Sequence, residues 1–220
     1  MFRRLGTFVL AIGLASGLAS PAHATTITFD DRPVTNLIPA IYPSNQYAGQ
    51  GVTIQTIILT QSINTVGQIF SLTLSSDNFG VLSNDNSVSP PNFAVATNVF
   101  ATASSAVLFS FSTPVSSVSL QTDDAPNEIP DVVRLMLLES LGGGNFRVTA
   151  VVTGLDNAIS APQNILALTS GAASFAVFAT ATEAEGFDNL TFQPVPEPGT
   201  MLLVGAGVAS ALARRRLRRA

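Results

Sequence analysis

The chain of 220 residues contains no cysteine, no lysine and no tryptophan, and its one histidine is His23. Without cysteine no disulfide can form, so ordinary packing or a bound ion has to stabilise the fold. Beyond residue 23 the chain lacks the imidazole, thiol and amine groups that Ser-His-Asp or Cys-His nucleophiles, Schiff bases and most zinc sites require. We therefore predict that the protein is not an enzyme. Paired carboxylates acting as general acid and base, as in a glycosidase, are the catalytic alternative that this composition leaves open.

Positive charge is also scarce, and most of it lies at the two ends. Residues 25–198 hold all fourteen Asp and Glu residues but only Arg32, Arg134 and Arg147, which gives this segment a formal charge of −11. Nucleic-acid binding depends on clustered Lys and Arg, so we exclude nucleic acid as a partner. The acidity is compatible with a divalent cation such as calcium, which prefers carboxylate ligands.

The first 24 residues have the organisation of a secretory signal peptide. Two arginines precede an apolar run from Leu5 to about Leu18, and Ala22-His23-Ala24 places small residues before a cut between Ala24 and Thr25. These are the features that signal peptidase requires, so that enzyme is an expected partner and the mature chain would begin at Thr25. An uncleaved N-terminal anchor is the alternative.

Between the two ends, apolar residues recur with a period of two, which is typical of β-strands. Short runs separated by Gly, Asn, Pro and Ser predict an all-β fold, an antiparallel two-sheet sandwich of jelly-roll type over residues 25–193. The stretch Arg32–Gln50 reads as a long loop, Thr113-Pro114 as a turn, and Gly142–Asn145 as a hairpin. The predicted strands are Thr26–Asp30, Gly51–Thr60, Ile69–Leu74, Phe93–Phe100, Ser105–Ser112, Val115–Gln121, Val132–Leu138, Phe146–Val152, Ala173–Thr180 and Phe187–Phe192.

Residues 194–220 contain three features in a fixed order. Pro196-Glu197-Pro198 is followed by an apolar run from Met201 to Ala213, and the chain then carries five arginines, namely Arg214, Arg215, Arg216, Arg218 and Arg219. This order resembles the PEP-CTERM sorting signal of Gram-negative bacteria, a tail that is also labelled an ice-binding protein C-terminal domain. The resemblance implies that an exosortase in the inner membrane cleaves near the motif and passes the protein to the cell surface.

Physical arguments agree with the resemblance. Terminal arginines stay on the cytoplasmic side by the positive-inside rule, while the acidic body is exported. Thirteen apolar residues give about 20 Å of helix, which flanking residues and snorkelling arginines can extend towards a hydrocarbon core of about 30 Å. We therefore predict a C-terminal transmembrane helix that holds the precursor in the membrane transiently. A plain C-terminal anchor without processing is the alternative.

The body has its own resemblance, carried by Ile27–Asp31, Gln46–Ile54, Ser89–Ala94 and Gly186–Phe192. Similar stretches occur in β-sandwich proteins with this tail, which look like carbohydrate-binding jelly rolls. The resemblance implies a cell-surface or matrix protein in a biofilm or exopolysaccharide, or alternatively a lectin-like glycan-binding module.

Two sets of candidate site residues follow. Asp30 and Asp31 close the first strand and Asp188 opens the last, and acidic residues from these two strands hold a structural calcium in similar jelly rolls. The alternative is that these carboxylates begin a turn and accept backbone hydrogen bonds.

For glycan stacking only Tyr42 and Tyr47 are expected at the surface. Asp123–Asp131 lacks EF-hand spacing and reads first as a solvated loop, with divalent-cation binding as its alternative.

Overall fold

The structure is a computed structural model that describes residues 23–31, 40–59, 61–76, 78–83, 92–95, 105–123, 131–156, 165–180 and 186–195. Residues Ala24–Pro194 form one compact unit. Residues 1–22 of the predicted signal peptide, which we expect to be helical, and the predicted C-terminal transmembrane helix lie outside the described residues. In the part of the chain that is described, no helix is both long enough and apolar enough to cross a membrane.

The described residues form twelve β-strands and one 3-10 helix. The period-two pattern predicts ten strands, and none of those ten covers residues 40–43 or 78–83. The strands are β1 (Thr25–Ile27), β2 (Ala40–Pro43), β3 (Val52–Ile58), β4 (Ile69–Ser71), β5 (Thr73–Ser76), β6 (Asn78–Ser83), β7 (Asn92–Val95), β8 (Ser105–Asp123), β9 (Asp131–Gly142), β10 (Asn145–Asp156), β11 (Ile165–Thr180) and β12 (Gly186–Pro194).

Every pairing among these strands is antiparallel, and together they make one curled sheet. The main path runs β2-β6-β7-β12-β8-β11-β9-β10-β4, while β1 pairs with β12, and β3 pairs with both β8 and β5. The prediction of an antiparallel all-β body is therefore confirmed.

The predicted turn at Thr113-Pro114 is wrong, because these residues lie inside the long strand β8. Thr113-Pro114 was expected to be a turn between two strands, but β8 runs without interruption from Ser105 to Asp123. The pairing of β8 with β11 is irregular at this point, because the register shifts between Val115 and Ser110. A proline has no backbone N–H to donate, so an irregular site in the ladder tolerates it.

The predicted loop over Arg32–Gln50 is also corrected where the structure describes it. Residues 40–43 form β2, and Ser44–Gln50 form the 3-10 helix. Gly51 ends that helix with φ +94°, and its N–H donates to the carbonyl of Ala48. The carbonyl of Gly51 then accepts from the N–H of Ser112, which joins the helix end to the middle of β8.

The hairpin prediction is confirmed. β9 ends at Gly142 and β10 begins at Asn145. Gly142, Gly143 and Gly144 have φ values of +82°, +63° and +79°, a backbone region that glycine enters without the steric cost of a Cβ atom.

Buried side chains lie on both faces of the central strands. In β8, Val107 and Phe109 belong to one buried cluster, whereas Ala106 and Leu108 belong to a second. The same alternation occurs in β9, where Leu135 faces the first cluster and the neighbouring residue Met136 the second. This part of the sheet is therefore covered on both sides.

Aromatic rings fill the first cluster beside β1 and β12. The ring of Phe29 makes edge contacts with Tyr47, Phe79 and Phe187 at centroid distances of 5.5, 6.1 and 5.5 Å. Phe187 also contacts Phe109 edge-on at 5.3 Å. Such pairs contribute about 0.5–1.5 kcal/mol each beyond their buried area. This packing fixes the backbone that carries the predicted acidic residues.

Candidate functional site

The first and last strands are neighbours, as the calcium hypothesis for Asp30, Asp31 and Asp188 requires. Thr25 pairs with Phe192 and Ile27 with Leu190 in an antiparallel ladder. On the outward face of this pair, the hydroxyl oxygens of Thr26 and Thr191 lie 2.8 Å apart. The pairing brings residues 28–31 to the same end of the sheet as Asp188.

Asp30 lies at a junction between the first strand and β7. Its Oδ1 accepts a hydrogen bond of 3.3 Å from the backbone N–H of Asn92, and Nδ2 of Asn92 donates to the carbonyl of Phe29 at 3.3 Å. The backbone N–H of Asp30 also donates to the carbonyl of Thr28, so the chain turns here. Asp30 therefore ties the turn after β1 to a strand 62 residues away in sequence.

Asp31 has a different partner. The hydroxyl of Tyr47 donates a hydrogen bond of 2.9 Å to Oδ1 of Asp31. Asp31 itself is exposed, whereas Tyr47 is 1% exposed. This bond therefore connects the buried aromatic cluster to the surface turn.

Asp188 is fully buried, at 0% exposure. Its Oδ1 accepts from the backbone N–H of Asn189 at 2.6 Å. Asn189 has φ +50° and lies where the register of β12 against β8 shifts, and its Nδ2 donates to Oε1 of Gln121 at 2.6 Å. A non-glycine residue with positive φ is uncommon, and Asn tolerates that region better than most residues.

The three predicted calcium ligands thus lie at one end of the sheet, and each carboxylate accepts a hydrogen bond from a different donor. Within the described residues, which include Asp30, Asp31 and Asp188, no group of three His, Cys, Asp or Glu side chains is arranged to hold a metal ion. The contacts observed are those of the alternative, a turn with carboxylates accepting hydrogen bonds. A calcium ion at this end stays a prediction. The other acidic segment is described only at Asp123 and Asp131, its two end residues.

The prediction that Tyr47 lies at the surface and stacks on a glycan is wrong. Tyr47 belongs to the 3-10 helix, and its ring packs against Phe29 and Phe79 instead of facing solvent. A side chain that is 1% exposed cannot stack on a sugar at the surface. Tyr42 is half-buried, with its ring tilted against Phe79 at 6.1 Å, so it presents part of one ring to solvent.

A feature that sequence reasoning missed is an outward face of β1, β8 and β12 that carries hydroxyl and carboxamide groups. We call it the hydroxyl–amide face, and its members are Thr26, Ser117, Ser119, Gln121, Asn189 and Thr191. Thr191 pairs with Ser119 across the two strands, and the residues between the face positions, such as Leu120 and Leu190, are fully buried. The alternation of SVSLQ at residues 117–121 is the pattern that could have indicated this face.

The C-terminal sorting segment follows β12 directly. Pro194, the last residue of β12, pairs with Val115 of β8, and Val195 is the last residue that the structure describes. The predicted motif residues Pro196, Glu197 and Pro198 and the basic tail lie outside the described residues, as does most of the predicted signal peptide. Ala24 and Thr25, the predicted signal cleavage site, lie at the start of β1.

Comparison with solved structures gives low similarity. The K2 cleaved adhesin domain of Lys-gingipain is 13% identical with a TM-score of 0.36, over 77% of this chain and 99% of that chain. The enzymatically active domain of tailspike protein 4 from bacteriophage CBA120 is 12% identical with a TM-score of 0.31, over 70% of this chain and 21% of that chain. No curated protein matches the sequence.

One protein-family comparison does identify part of the chain. Residues 194–219 match the PEP-CTERM protein-sorting motif, which covers the Pro-Glu-Pro residues, the apolar run and five arginines of the tail. This match confirms the resemblance found in the sequence. Residues 194–219 are therefore a PEP-CTERM sorting motif, which implies that the protein is exported and processed by exosortase.

Proposed function

We propose that this chain is a non-catalytic protein of the cell surface or extracellular matrix, whose β body, residues 25–193, is delivered there through its sorting segment. The PEP-CTERM motif is the observation that carries the proposal, because it assigns the route by which the body leaves the cell. The proposed body is a jelly-roll-like sandwich in which β8 and β11 pass from one layer to the other. Its expected setting is a biofilm or exopolysaccharide of a Gram-negative bacterium.

The composition supports a binding or structural role over catalysis. The body has no lysine, cysteine or histidine after residue 23, so its sequence lacks the Cys and Lys nucleophiles and the His general base. The described carboxylates at the β1–β12 end accept hydrogen bonds from Asn92, Tyr47 and Asn189. These bonds fit a structural role for Asp30, Asp31 and Asp188.

The sorting segment is joined to the body with almost no linker. Only Val195 separates the last paired residue of β12 from Pro196. Processing near the motif would therefore release or transfer the body with its last strand intact.

The proposal is tested with the full chain expressed in a bacterium that has an exosortase. Two variants disturb the sorting segment, Glu197→Ala and a deletion of Arg214–Arg219, and Glu139→Ala on the exposed side of β9 serves as a matched control. We expect intact mass spectrometry to show the wild type and the control cut at both ends and located at the surface or in the matrix. Both sorting variants should keep the tail and stay with the inner membrane. Equal masses and equal fractionation of all four proteins would overturn the proposal.

A glycan-binding module is the second candidate function. It is favoured by the hydroxyl–amide face, because hydroxyl and carboxamide groups both donate and accept hydrogen bonds, as sugar hydroxyls do. Tyr42 is the remaining candidate for stacking on a sugar ring. A glycosidase that uses only carboxylates is a less favoured reading of the same body.

A further inference from the structure

We propose that the hydroxyl–amide face binds a neutral polysaccharide, which it would hold through hydrogen bonds to hydroxyl groups along the polymer. The inference rests on the proposed function, since it names the partner that a surface or matrix protein of this kind would meet. It concerns a different part of the molecule from Tyr42, Tyr47 and the acidic end residues.

The geometry of the face is set by the ladder between β1, β12 and β8. Thr26 opposes Thr191, and Thr191 opposes Ser119, so three small hydroxyl side chains form a row across three strands. The next row contains Asn189 and Gln121, joined by a hydrogen bond of 2.6 Å. Neighbouring strands lie about 4.8 Å apart, and alternate residues of a strand about 6.8 Å apart, so the rows present polar groups at regular spacing.

Hydrogen bonds within the face orient these groups. The hydroxyl of Thr191 donates to the carbonyl of Asn189 at 3.3 Å. Because a hydroxyl has one hydrogen, the 2.8 Å contact with Thr26 is then a bond in which Thr26 donates to Thr191. The side chains of the face are therefore held in place before a ligand arrives, which lowers the entropy lost on binding.

Several polar atoms of the face keep hydrogen-bonding capacity. Among the residues that the structure describes, Oδ1 of Asn189, Nε2 of Gln121 and the hydroxyl of Ser119 make no hydrogen bond to protein. Two of these are donors and two can accept, because a hydroxyl does both. A polymer with one hydroxyl every few ångströms matches such a mixed set.

Charge distinguishes this partner from other polymers. The face has no charged member, and the nearest carboxylate, Asp188, is fully buried. The body, residues 25–193, has a formal charge of −10, which repels acidic polysaccharides and nucleic acid. A protein partner would need an apolar centre in its interface, and hydroxyl and amide groups do not supply one. A neutral polymer with many hydroxyl groups is not repelled by the acidic body and needs no apolar centre in the interface.

The test uses the processed protein purified from the exosortase-containing host, in native gels that contain dextran as a neutral polymer or polygalacturonate as an acidic one. The variant Ser119→Ala/Gln121→Met removes a hydroxyl and an amide from the face with little change in volume. The matched control, Ser62→Ala/Gln61→Met, makes the same two changes at exposed positions in the segment before β4. Equal thermal midpoints and circular dichroism spectra verify that all three proteins are folded.

We expect dextran to slow the migration of the wild type and of the control equally. The face variant should be slowed less, and its apparent affinity for dextran should be about fivefold lower. Polygalacturonate should slow none of them. Equal retardation of the face variant and the wild type, retardation by the acidic polymer alone, or no retardation by dextran would each overturn the inference. Because processing and location are measured separately by mass and fractionation, the proposed function can stand when this inference fails.

Discussion

Substitutions of Tyr47 test whether its side chain stabilises the core or lies at the surface. The ring is 1% exposed and packs on Phe29 at 5.5 Å and on Phe79 at 5.9 Å, while its hydroxyl donates to Asp31. Tyr47→Phe keeps the ring contacts and removes the hydroxyl. Because Asp31 is exposed and regains water, we expect the free energy of unfolding to fall by only about 1 kcal/mol, less than the roughly 1.5–3 kcal/mol typical of hydrogen bonds to charged groups.

Tyr47→Ala removes the ring as well and leaves a cavity in the aromatic cluster. Deleting a large buried aromatic side chain costs about 3–5 kcal/mol, so this variant should lose several times more stability than Tyr47→Phe. For a domain of this size, each kcal/mol lowers the thermal midpoint by about 2–4 °C. Urea unfolding of the processed protein, followed by circular dichroism, gives both free energies. A loss below about 1 kcal/mol for Tyr47→Ala would contradict the burial of the ring and restore Tyr47 as a surface residue.

Two further predictions concern the end of the sheet where β1 meets β12. Asn189→Val should reduce the free energy of unfolding by about 1–3 kcal/mol, because a β-branched residue is strained at φ +50°. The control Asn189→Gly should lose only the hydrogen bond to Gln121. Equal losses for the two variants in urea unfolding would show that backbone strain is not the cause. A calcium ion held by Asp30, Asp31 and Asp188 should raise the thermal midpoint in millimolar calcium relative to chelator. At ten times the Kd it adds about 1.4 kcal/mol to the free energy of unfolding, and Asp188→Asn should abolish the rise. An unchanged midpoint for the wild type would rule the ion out.

The parts of the fold that follow from local pattern could be predicted from the sequence. Alternation of apolar and polar residues predicts strands, and three glycines before Asn145 predict the hairpin, because both depend on neighbours in the chain. These features need no knowledge of distant contacts.

Other features depend on contacts that are distant in sequence. Tyr47 lies in a segment with several prolines and polar residues, yet Phe29 and Phe79 bury it. Pro114 is tolerated in β8 because the partner strand β11 changes register there, which no local pattern around Pro114 reveals. The partners of Asp30 and Asp31 likewise come from residues 62 and 16 positions away. Sequence reasoning could locate these carboxylates but could not tell which donors they would meet.

The change of pattern along β8 links the fold to the proposed binding face. From Ala106 to Phe109 consecutive residues are apolar, and both sides of the strand are buried. From Ser117 to Gln121 apolar and polar residues alternate, so only one side faces the core. The uncovered side belongs to the part of β8 that pairs with β12, the strand that continues into the sorting motif.

The face and the sorting motif are close together in the sequence. Thr191 precedes Pro196 by five residues, which span at most about 17 Å in an extended chain. We therefore expect a bulky polymer that is bound to the face before processing to obstruct exosortase. For that reason polysaccharide binding and processing should occur in sequence, with the cut first, and dextran added to the purified precursor should slow cleavage in the wild type but not in Ser119→Ala/Gln121→Met. Equal slowing of both proteins would mean that the polymer acts elsewhere on the body.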